Sequence, residues 1–302
     1  MTVLIVLQNT KSNCIEDLLI KGKRILVSKN VSSHALDAAL LLAEASGFSR
    51  EKLITHNDYE LSEVQRRHYF ELLERRCRGE SIAYILGRKE FFGLNFTVTP
   101  AVLTPRPDTE ILVEAVLSIL RSGPVLSDCA ALRNVSFPVL DLCTGCGPVA
   151  IALKHKCPAL EVWATDVSEE ALAVARKNAE TLDCGIAFLQ GDLFDALEKR
   201  SRFFLIAANA PYVPSGEIDL LSPEVKAEPR IALDGGVDGL DLIRRIIVKA
   251  PLYLDKNGYI ALEADPSQME TIAILMKDSG FSEPVMYQDL AGYNRVIAGK
   301  LS

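Results

Sequence analysis

A glycine-containing turn near the middle of the chain has the residue types to bind a nucleotide or another anionic ligand. The apolar run Val139–Leu142, a predicted strand, leads directly into it, and a helix is predicted over Val149–Lys156. Between them the sequence reads Cys143, Thr144, Gly145, Cys146 and Gly147. Glycine permits positive φ and a close approach of ligand to backbone. The following helix amino terminus offers unpaired N–H groups and a positive dipole end.

Acidic residues stand at or beside the ends of successive predicted strands. Asp166 ends the strand after the turn, where a carboxylate can accept hydrogen bonds from both ribose hydroxyls. Asp192 ends the third strand and is placed to accept an adenine amino hydrogen, with Leu193 packing on the ring. Asp141 is placed to face the ammonium of an amino-acid-like ligand. Each acid alone is better explained as a helix cap or a solvated strand end, but together they predict a nucleoside site.

The cysteines of the turn, Cys143 and Cys146, also fit a redox dithiol, because a helix amino terminus lowers the pKa of a thiol. Thioredoxin-like motifs, however, lack the intervening Thr-Gly and the acids at two later strand ends. The sequence has no second cysteine pair to complete a four-cysteine zinc site, and its four histidines show no ligand spacing. Redox or metal chemistry is therefore the weaker interpretation, and we expect no metal.

A second cluster, Asn209, Ala210, Pro211 and Tyr212, follows the predicted strand Phe203–Ala208, at the end where open α/β sheets bind ligands. A primary amide nitrogen is a weak nucleophile because its lone pair is delocalised into the carbonyl. The Asn209 side-chain oxygen and the Ala210 carbonyl can hold its NH2 toward a methyl sulfonium and favour the developing charge. Tyr212 can stack on the planar amide and exclude water. The cluster predicts a methyl-transfer site, with Asn209 also touching the cofactor.

The elements that must position these residues alternate in type beyond Thr104. Further predicted elements are strands over 162–165, 187–190 and 259–262 and helices over 169–181, 241–254 and 269–277. This alternation predicts a parallel sheet with helices on both faces. The last two predicted strands, Val285–Tyr287 and Arg295–Ala298, are joined without a helix, so we expect one to run antiparallel at the sheet edge.

The amino-terminal part of the chain has a different periodicity. From Ser32 to about Gly79 the apolar spacing is helical, whereas Val3–Leu7 fits a strand or an extension. Residues 91–98 predict a β-hairpin around a Gly-Leu-Asn turn. The resulting division is a helical domain over 1–88 that docks substrate, a hairpin linker over 89–103 and a ligand-binding domain over 104–302.

Composition excludes some classes of protein. The 302 residues suit two domains, and 49% hydrophobic with 24% charged residues is ordinary for a globular protein. No apolar run approaches the ~20 residues that cross a bilayer, and seven scattered cysteines favour a reducing cytoplasm. A net charge of −7 and a pI of 5.3 argue against nucleic-acid binding.

One group of arginines is a local exception to this acidic charge. It is either a solvated helix face or a docking patch for an acidic partner, and it consists of Arg66, Arg67, Arg75, Arg76 and Arg78.

The run Asn209–Tyr212 resembles the Asn-Pro-Pro-Tyr signature of amino methyltransferases, which act on planar nitrogens of glutamine or adenine. Four further runs are similar to the HemK/PrmC family of peptide chain release factor glutamine N5-methyltransferases: residues 78–87, 104–110, 228–236 and 289–292. This resemblance implies a class I (Rossmann-like) methyltransferase sheet with an antiparallel last strand, behind a helical amino-terminal domain. It implies S-adenosylmethionine as cofactor and, as partners, class 1 release factors, methylated on the glutamine of their Gly-Gly-Gln loop. We expect a cytoplasmic monomer.

The sequence departs from the family pattern at three places. Cys143 and Cys146 replace residues of the usual Gly-Thr-Gly-Ser-Gly, Ala210 replaces the first proline, and residues 263–265 read Glu-Ala-Asp where Glu-Ile-Gly is commoner.

The alternative enzyme is an adenine-N6 methyltransferase of nucleic acid, which the acidic pI and the lack of a basic target-recognition domain disfavour. A non-catalytic cofactor-binding or redox protein is the alternative from a different class.

Overall fold

The computed structural model of the chain describes residues 13–122, 137–282 and 284–302. Its α-helices are α1 (Ile15–Val27), α2 (His34–Ser46), α3 (Arg50–Thr55), α4 (Glu63–Cys77), α5 (Ile82–Leu86), α6 (Glu110–Ser122), α7 (Pro148–Lys156), α8 (Glu169–Thr181), α9 (Pro223–Lys226), α10 (Asp241–Lys249) and α11 (Met269–Asp278). Its strands are β1 (Arg88–Phe91), β2 (Leu94–Thr97), β3 (Pro138–Leu142), β4 (Glu161–Asp166), β5 (Ala187–Gln190), β6 (Phe203–Ala208), β7 (Leu254–Glu263), β8 (Val285–Gln288) and β9 (Asn294–Lys300). The predicted element over 3–7 lies outside the described residues.

The chain forms two compact units, and the smaller comprises the residues up to Gly87 together with Pro223–Ala227. Helices α1, α2 and α4 of this unit pack around buried apolar side chains that include Leu41, Tyr69 and Leu73. Local sequence explains where these helices begin and end. A capping box, in which Ser62 and Gln65 satisfy each other's backbone N–H groups, starts α4, and Gly47 in the left-handed conformation ends α2. Within the described residues, no helix is long and apolar enough to cross a membrane.

The arginines of α4 are engaged by acids of the same unit. Arg76 is only 5% exposed, with Nε 2.7 Å from Asp37 Oδ2 and Nη2 2.6 Å from Glu224 Oε1. Arg75 pairs with Glu80 at 2.5 Å. The hypothesis that the whole group forms a docking patch is therefore wrong for Arg76, whose guanidinium is an internal structural charge. No pattern in the sequence indicates that Glu224 of α9, 148 residues from Arg76, is one of its partners.

The larger unit, Arg88–Ser222 and Glu228–Ser302, contains a seven-stranded sheet of order β5-β4-β3-β6-β7-β9-β8. Strands β3 to β7 pair in parallel, and β9 runs antiparallel to both β7 and β8. The predicted α/β class with an antiparallel last strand is confirmed. The expectation that this strand lies at the edge is wrong, because β9 is one strand inside it. Burial explains the order: Val296, Ile297 and Ala298 of β9 are buried, whereas Val285 of β8 is 57% exposed.

The hairpin β1–β2 belongs to the larger unit. Its turn lies at Phe92–Gly93, with φ of 53° and 77°, because Phe91 pairs with Leu94. Two consecutive positive φ angles are typical of a two-residue type I′ turn. The predicted turn over Gly-Leu-Asn is therefore wrong, because Leu94 and Asn95 belong to β2. Phe91 and Phe96 are buried in the core on one face of the sheet, so the segment predicted as a linker is packed into this unit.

Helix α8 fastens the hairpin to the strand-to-helix turn after β3. The Asn178 side chain is 1% exposed and accepts from Thr97 N at 2.8 Å. Its Nδ2 donates at 3.0 Å both to Thr97 O and to Cys146 O. One buried amide therefore satisfies backbone groups of two segments that flank the binding edge of the sheet.

We expect Arg76→Ala to lower the free energy of unfolding by about 3–5 kcal/mol, because it leaves the Asp37 carboxylate buried without its cation. Arg78→Ala, at the residue that ends the same helix, is the matched control. Its side chain is 72% exposed and, within the described residues, forms an ion pair with Glu74 alone, so its loss should cost about 1 kcal/mol or less. Urea unfolding of both variants makes the comparison, and equal effects would contradict the structural assignment of Arg76.

Candidate active site

The predicted site residues meet at the carboxyl ends of the parallel strands. Strands β3 and β6 are neighbours at the centre of the sheet, and the chain order runs outward from them in both directions. This is the topological switch point at which open α/β sheets form a crevice. A cavity of about 290 Å³ lies there, lined among others by Gly145, Asp166, Asp192, Leu193, Asn209 and Pro211. A smaller pocket, of about 40 Å³, is lined by Asp141, Cys143, Thr144, Cys146 and Asn209 among others.

The turn between β3 and α7 is built on positive φ angles. Cys143, Gly145 and Gly147 have φ of 58°, 58° and 86°. At the φ of Gly147 a side chain would be strained, and a Cβ there would also lie 2.9 Å from Ile151 Cδ1, so the start of α7 favours a glycine. Pro148 at the first helical position lacks only an N–H that the helix would leave unpaired. Cys143 is the strained member, since a side chain with positive φ costs about 1–2 kcal/mol.

Asp166 joins the turn after β3 to the turn after β4. Its Oδ2 accepts from Gly145 N at 2.8 Å, and its Oδ1 accepts from Ser168 N at 2.9 Å. Burial raises the pKa of this carboxyl, and hydrogen bonds from backbone N–H groups oppose the rise. Each carboxylate oxygen has about two lone-pair sites, so both can accept a further hydrogen bond from the cavity. The arrangement suits a ribose diol.

The adenine end of the predicted site contains a residue that sequence reasoning missed. Leu193 is buried with a φ of 55°, and its carbonyl accepts from Thr165 Oγ1 at 3.2 Å, which fixes the turn after β5. Asp192 is half exposed, with Oδ2 2.7 Å from Arg245 Nη2. Arg245 and Leu242 of α10 also line the cavity. The sequence shows α10 only as an amphipathic helix, which does not reveal which polar side chain turns toward the site.

Asp141, Thr144 and Cys146 are the buried polar groups of the turn, and Cys143 is half-buried. Asp141 Oδ2 accepts from Thr144 Oγ1 at 2.6 Å and from Ala150 N at 3.3 Å, while burial raises its pKa to about 7. Burial also raises the pKa of the Cys143 thiol, and that of Cys146 to about 12. Both thiols are therefore protonated near neutral pH, which disfavours the redox interpretation. Among the described residues, no group of His, Cys, Asp and Glu could hold a metal ion.

The cluster after β6 places one amide acceptor beside the cavity. Asn209 Nδ2 donates to Thr109 Oγ1 at 3.0 Å, which leaves Oδ1 to accept. Tyr212 packs behind it, with its hydroxyl 3.5 Å from Glu263 Oε1 at the end of β7. Burial raises the pKa of the Tyr212 phenol and raises that of Glu263 to about 7. Ala210 is 1% exposed, so only its backbone can serve a substrate, as the sequence predicts.

Ion pairs bring three of the resemblance runs to this edge. Arg106 Nη2 lies 2.5 Å from Glu228 Oε2, which joins the run 104–110 to the run 228–236. Arg295 Nε lies 3.3 Å from Asp108 Oδ2 and 2.9 Å from Asp289 Oδ2, which adds the run 289–292. These ion pairs could not be predicted from the spacing of the residues in the sequence. Together they connect the three runs through charged side chains beside the site.

Sequence reasoning also missed Thr109 and Glu263. Thr109 was visible only as part of the run 104–110, and its role depends on a contact 100 residues away. Glu263 did carry a signal, since an acid at the end of a parallel strand repeats the placement of Asp166. Its departure from a family tripeptide had no explanation in the sequence alone.

A doubly wound sheet with a nucleoside-sized crevice and strand-end acids defines a class I S-adenosylmethionine-dependent methyltransferase. Residues 139–225 match the family model described as methyltransferase domain, and residues 17–87 match that of the PrmC N-terminal domain. The release factor glutamine methyltransferase of Geobacter sulfurreducens is 38% identical over 91% of this chain and 93% of that protein. The one of Clostridium botulinum is 33% identical over 95% and 99%. The chain belongs to the HemK/PrmC family of release factor glutamine methyltransferases.

Solved structures with lower identity support the fold alone. The hMettl16 catalytic domain in complex with an RNA hairpin aligns with a TM-score of 0.55 at 13% identity, over 87% of this chain and 91% of that chain. The T. thermophilus 16S rRNA methyltransferase RsmC, solved with AdoMet and guanosine, aligns with a TM-score of 0.52 at 19% identity, over 71% and 50%. These likenesses confirm the predicted methyltransferase sheet.

We expect Asp166→Ala to weaken S-adenosylmethionine binding by about 1.5–3 kcal/mol, since it removes hydrogen bonds to a charged acceptor. Isothermal titration calorimetry measures this directly. Glu170→Ala, an exposed acid in the first turn of α8, is the matched control and should bind normally. Unchanged affinity in the Asp166 variant would remove this carboxylate from the cofactor site.

Proposed function

We propose that this protein transfers a methyl group from S-adenosylmethionine to N5, the side-chain amide nitrogen, of the glutamine in the Gly-Gly-Gln motif of class 1 peptide chain release factors. The observation that carries the proposal is the orientation of Asn209. Its NH2 is engaged by Thr109, so its oxygen is left to accept at the edge of the cofactor cavity. An acceptor at that point suits a substrate group whose reacting atom carries hydrogens.

The donor set fits the cofactor. Bound S-adenosylmethionine supplies an electrophilic methyl group on a sulfonium. The Asp166 carboxylate is oriented for the ribose, Leu193 offers an apolar surface for the adenine, and Asp141 is placed for the methionine ammonium. The proposed cofactor-binding residues are Asp141, Cys143, Thr144, Gly145, Cys146, Gly147, Asp166, Asp192, Leu193 and Asn209.

The proposed catalytic residues are Asn209, Ala210, Pro211 and Tyr212. Asn209 Oδ1 and the Ala210 carbonyl accept the two hydrogens of the substrate NH2 and aim its nitrogen at the methyl group. Because both are acceptors, they favour the positive charge that grows on the nitrogen as its bond to the methyl carbon forms and the carbon–sulfur bond of the sulfonium breaks. The nitrogen loses one of its two hydrogens as a proton to water, and the sulfur is left as the neutral thioether of S-adenosylhomocysteine. Tyr212 stacks on the planar amide, and buried Pro211 limits the room for water. These hydrogen bonds fix the position of the substrate amide before the reaction, and this preorganisation accelerates methyl transfer.

A flexible loop without side chains next to its glutamine suits so narrow a slot. The glycines of a Gly-Gly-Gln loop reach backbone conformations closed to other residues. Such a substrate places the enzyme in the cytoplasm, where translation ends. We further propose that it acts as a monomer without sequence-specific binding to nucleic acid, in keeping with its charge of −7.

We expect Asn209→Ala to lower turnover on purified release factor at least about 10²-fold, since it removes one of two preorganised acceptors. Cofactor affinity should stay within a few-fold. Asn95→Ala, an exposed asparagine on β2, is the control for loss of an amide at an unrelated place. Transfer of a labelled methyl group is the assay, with DNA as a second substrate. Near-normal turnover would exclude the acceptor mechanism, and labelling of DNA alone would favour the adenine alternative.

We also propose that the amino-terminal domain, residues 1–88, docks the body of the release factor. A short peptide bears the full ordering entropy when it binds, so contacts away from the glutamine are needed for efficient methylation. Arg67 of α4 and Arg78, the residue directly after it, are the ion-paired arginines of the group with the most exposed side chains, at 67% and 72%. They can meet an acidic surface without disturbing the core that Arg76 supports.

Reversing both, as Arg67→Glu with Arg78→Glu, should raise KM for whole release factor about tenfold and leave activity on a Gly-Gly-Gln peptide unchanged. Arg200→Glu with Arg202→Glu makes the same change in charge at exposed positions before β6 and should affect neither substrate. Methyl-transfer rates on both substrates give the comparison. Equal losses on factor and peptide would mean that these arginines support folding rather than docking.

A further inference from the structure

Thr109 is a buried hydroxyl directly behind the proposed acceptor. It ends the short helical turn Pro107–Thr109 that precedes α6, and it is 2% exposed. Its Oγ1 lies 3.0 Å from Asn209 Nδ2. Glu263, 1% exposed at the end of β7, lies near enough for the same hydroxyl to act on its carboxyl as a hydrogen-bond donor and lower its pKa. Three side chains from separate elements thus form a connected polar chain.

A threonine hydroxyl has one hydrogen and two lone pairs. Glu263 draws that hydrogen, because a carboxylate can only accept. Asn209 must then present a donor to the oxygen of Thr109, and its NH2 is the only donor of its side chain. The polarity of the chain, from Asn209 through Thr109 to Glu263, therefore decides which end of the Asn209 amide faces the cavity.

Burial raises the pKa of Glu263 to about 7, while hydrogen bonding from Thr109 and Tyr212 opposes that rise and favours the ionised form that ends this chain. The Tyr212 hydroxyl donates to Oε1 of Glu263, while Oε2 of Glu263 has no hydrogen-bond partner in the described part of the chain. The other charged groups that act on Glu263 are Asp108, which opposes its ionisation, and Arg295, which favours it. Arg295 is itself bound to Asp108 and Asp289, so its charge is fixed in place.

We propose that Thr109 is a positioning residue that locks the Asn209 amide with its oxygen toward the substrate, using Glu263 as the acceptor that orients the Thr109 hydroxyl. The inference rests on the proposed function, in which Asn209 accepts from the substrate NH2. A rotated Asn209 would place its own NH2 against that NH2, donor against donor. Thr109 therefore acts on the reaction through Asn209 and does not touch the substrate amide.

Two substitutions separate the hydroxyl from the packing of the side chain. Thr109→Val keeps the shape and removes the hydroxyl, whereas Thr109→Ser keeps the hydroxyl and removes a methyl group. We expect Thr109→Val to lower kcat about tenfold or more, the loss of a single oriented hydrogen bond in the transition state. Thr109→Ser should stay within about threefold of the parent. Affinity for S-adenosylmethionine, measured by calorimetry, should change in neither variant.

The decisive measurement is single-turnover methyl transfer to whole release factor by Asn209→Ala, Thr109→Val and the double variant. If Thr109 acts through Asn209, Thr109→Val should cost nothing further once Asn209 is alanine. Additive losses, or equal losses in the Val and Ser variants, would overturn the inference in favour of simple packing. Should Thr109→Val fail to fold in a melting experiment, Thr109→Ala against Thr109→Ser gives the same contrast.

The two proposals fail in different ways. If Asn209→Ala retains near-normal turnover, the acceptor mechanism is wrong and Thr109 has nothing to position. If Asn209→Ala is inactive but Thr109→Val is as active as the parent, the mechanism stands and only the positioning role is lost.

Discussion

The site depends on one constraint, that β3 to β7 are parallel, so that every loop leaving their carboxyl ends meets at the same edge. A single carboxylate turns that proximity into a defined surface. Asp166 accepts from Gly145 N and from Ser168 N, so the turn after β3 and the turn after β4 cannot move independently. Both oxygens nevertheless retain capacity for a ligand. In the proposed cofactor site, the bonds that set the backbone of the turn also set the direction from which the ribose would approach.

Burial gives the site a second property, a pair of carboxyls whose charge is not fixed near neutral pH. Asp141 and Glu263 lie at the ends of β3 and β7, and burial raises the pKa of each to about 7. Asp141 faces the pocket proposed for a cationic ligand end, and a bound cation would favour its ionised form. Glu263 has Arg295 nearby and two hydroxyl donors. In the mechanism that we propose, neither carboxyl acts as a base, and each orients the groups hydrogen-bonded to it.

The sequence predicts those parts of the fold whose signals are local. The helix Glu169–Thr181 and the strands Ala187–Gln190 and Phe203–Ala208 have the predicted bounds. Strand β7 begins five residues before its predicted start, since Asp255, Lys256 and Asn257 do not resemble a buried strand. The predicted site residues lie at one edge because strand ends converge by topology. Thr109 and Arg245 could not be predicted, because each acquires its role from a partner at least 50 residues away. Glu263 did carry a signal in its place at a strand end, but its contact with Tyr212, 51 residues away, could not be predicted.

The departures from the family pattern at Ala210 and at residues 263–265 are related. Replacing a proline by Ala210 removes a local restraint on the loop that carries the proposed acceptors. Here the loop is held from outside, since Gln268 Nε2 donates to Tyr212 O at 3.0 Å and to Asp238 O at 3.1 Å. Asp265 in turn forms a capping box with Gln268, accepting from Ser267 N while Gln268 Oε1 accepts from Asp265 N. The bond to Gln268 Oε1 comes from the backbone N–H of residue 265, which a glycine would also offer. What the aspartate adds is its side chain, which accepts from Ser267 N and Ser267 Oγ and so stabilises the turn Pro266–Gln268 that carries Gln268. The rigidity that the first proline would supply through its ring comes instead from tertiary hydrogen bonds, and the Ala210 carbonyl keeps its place.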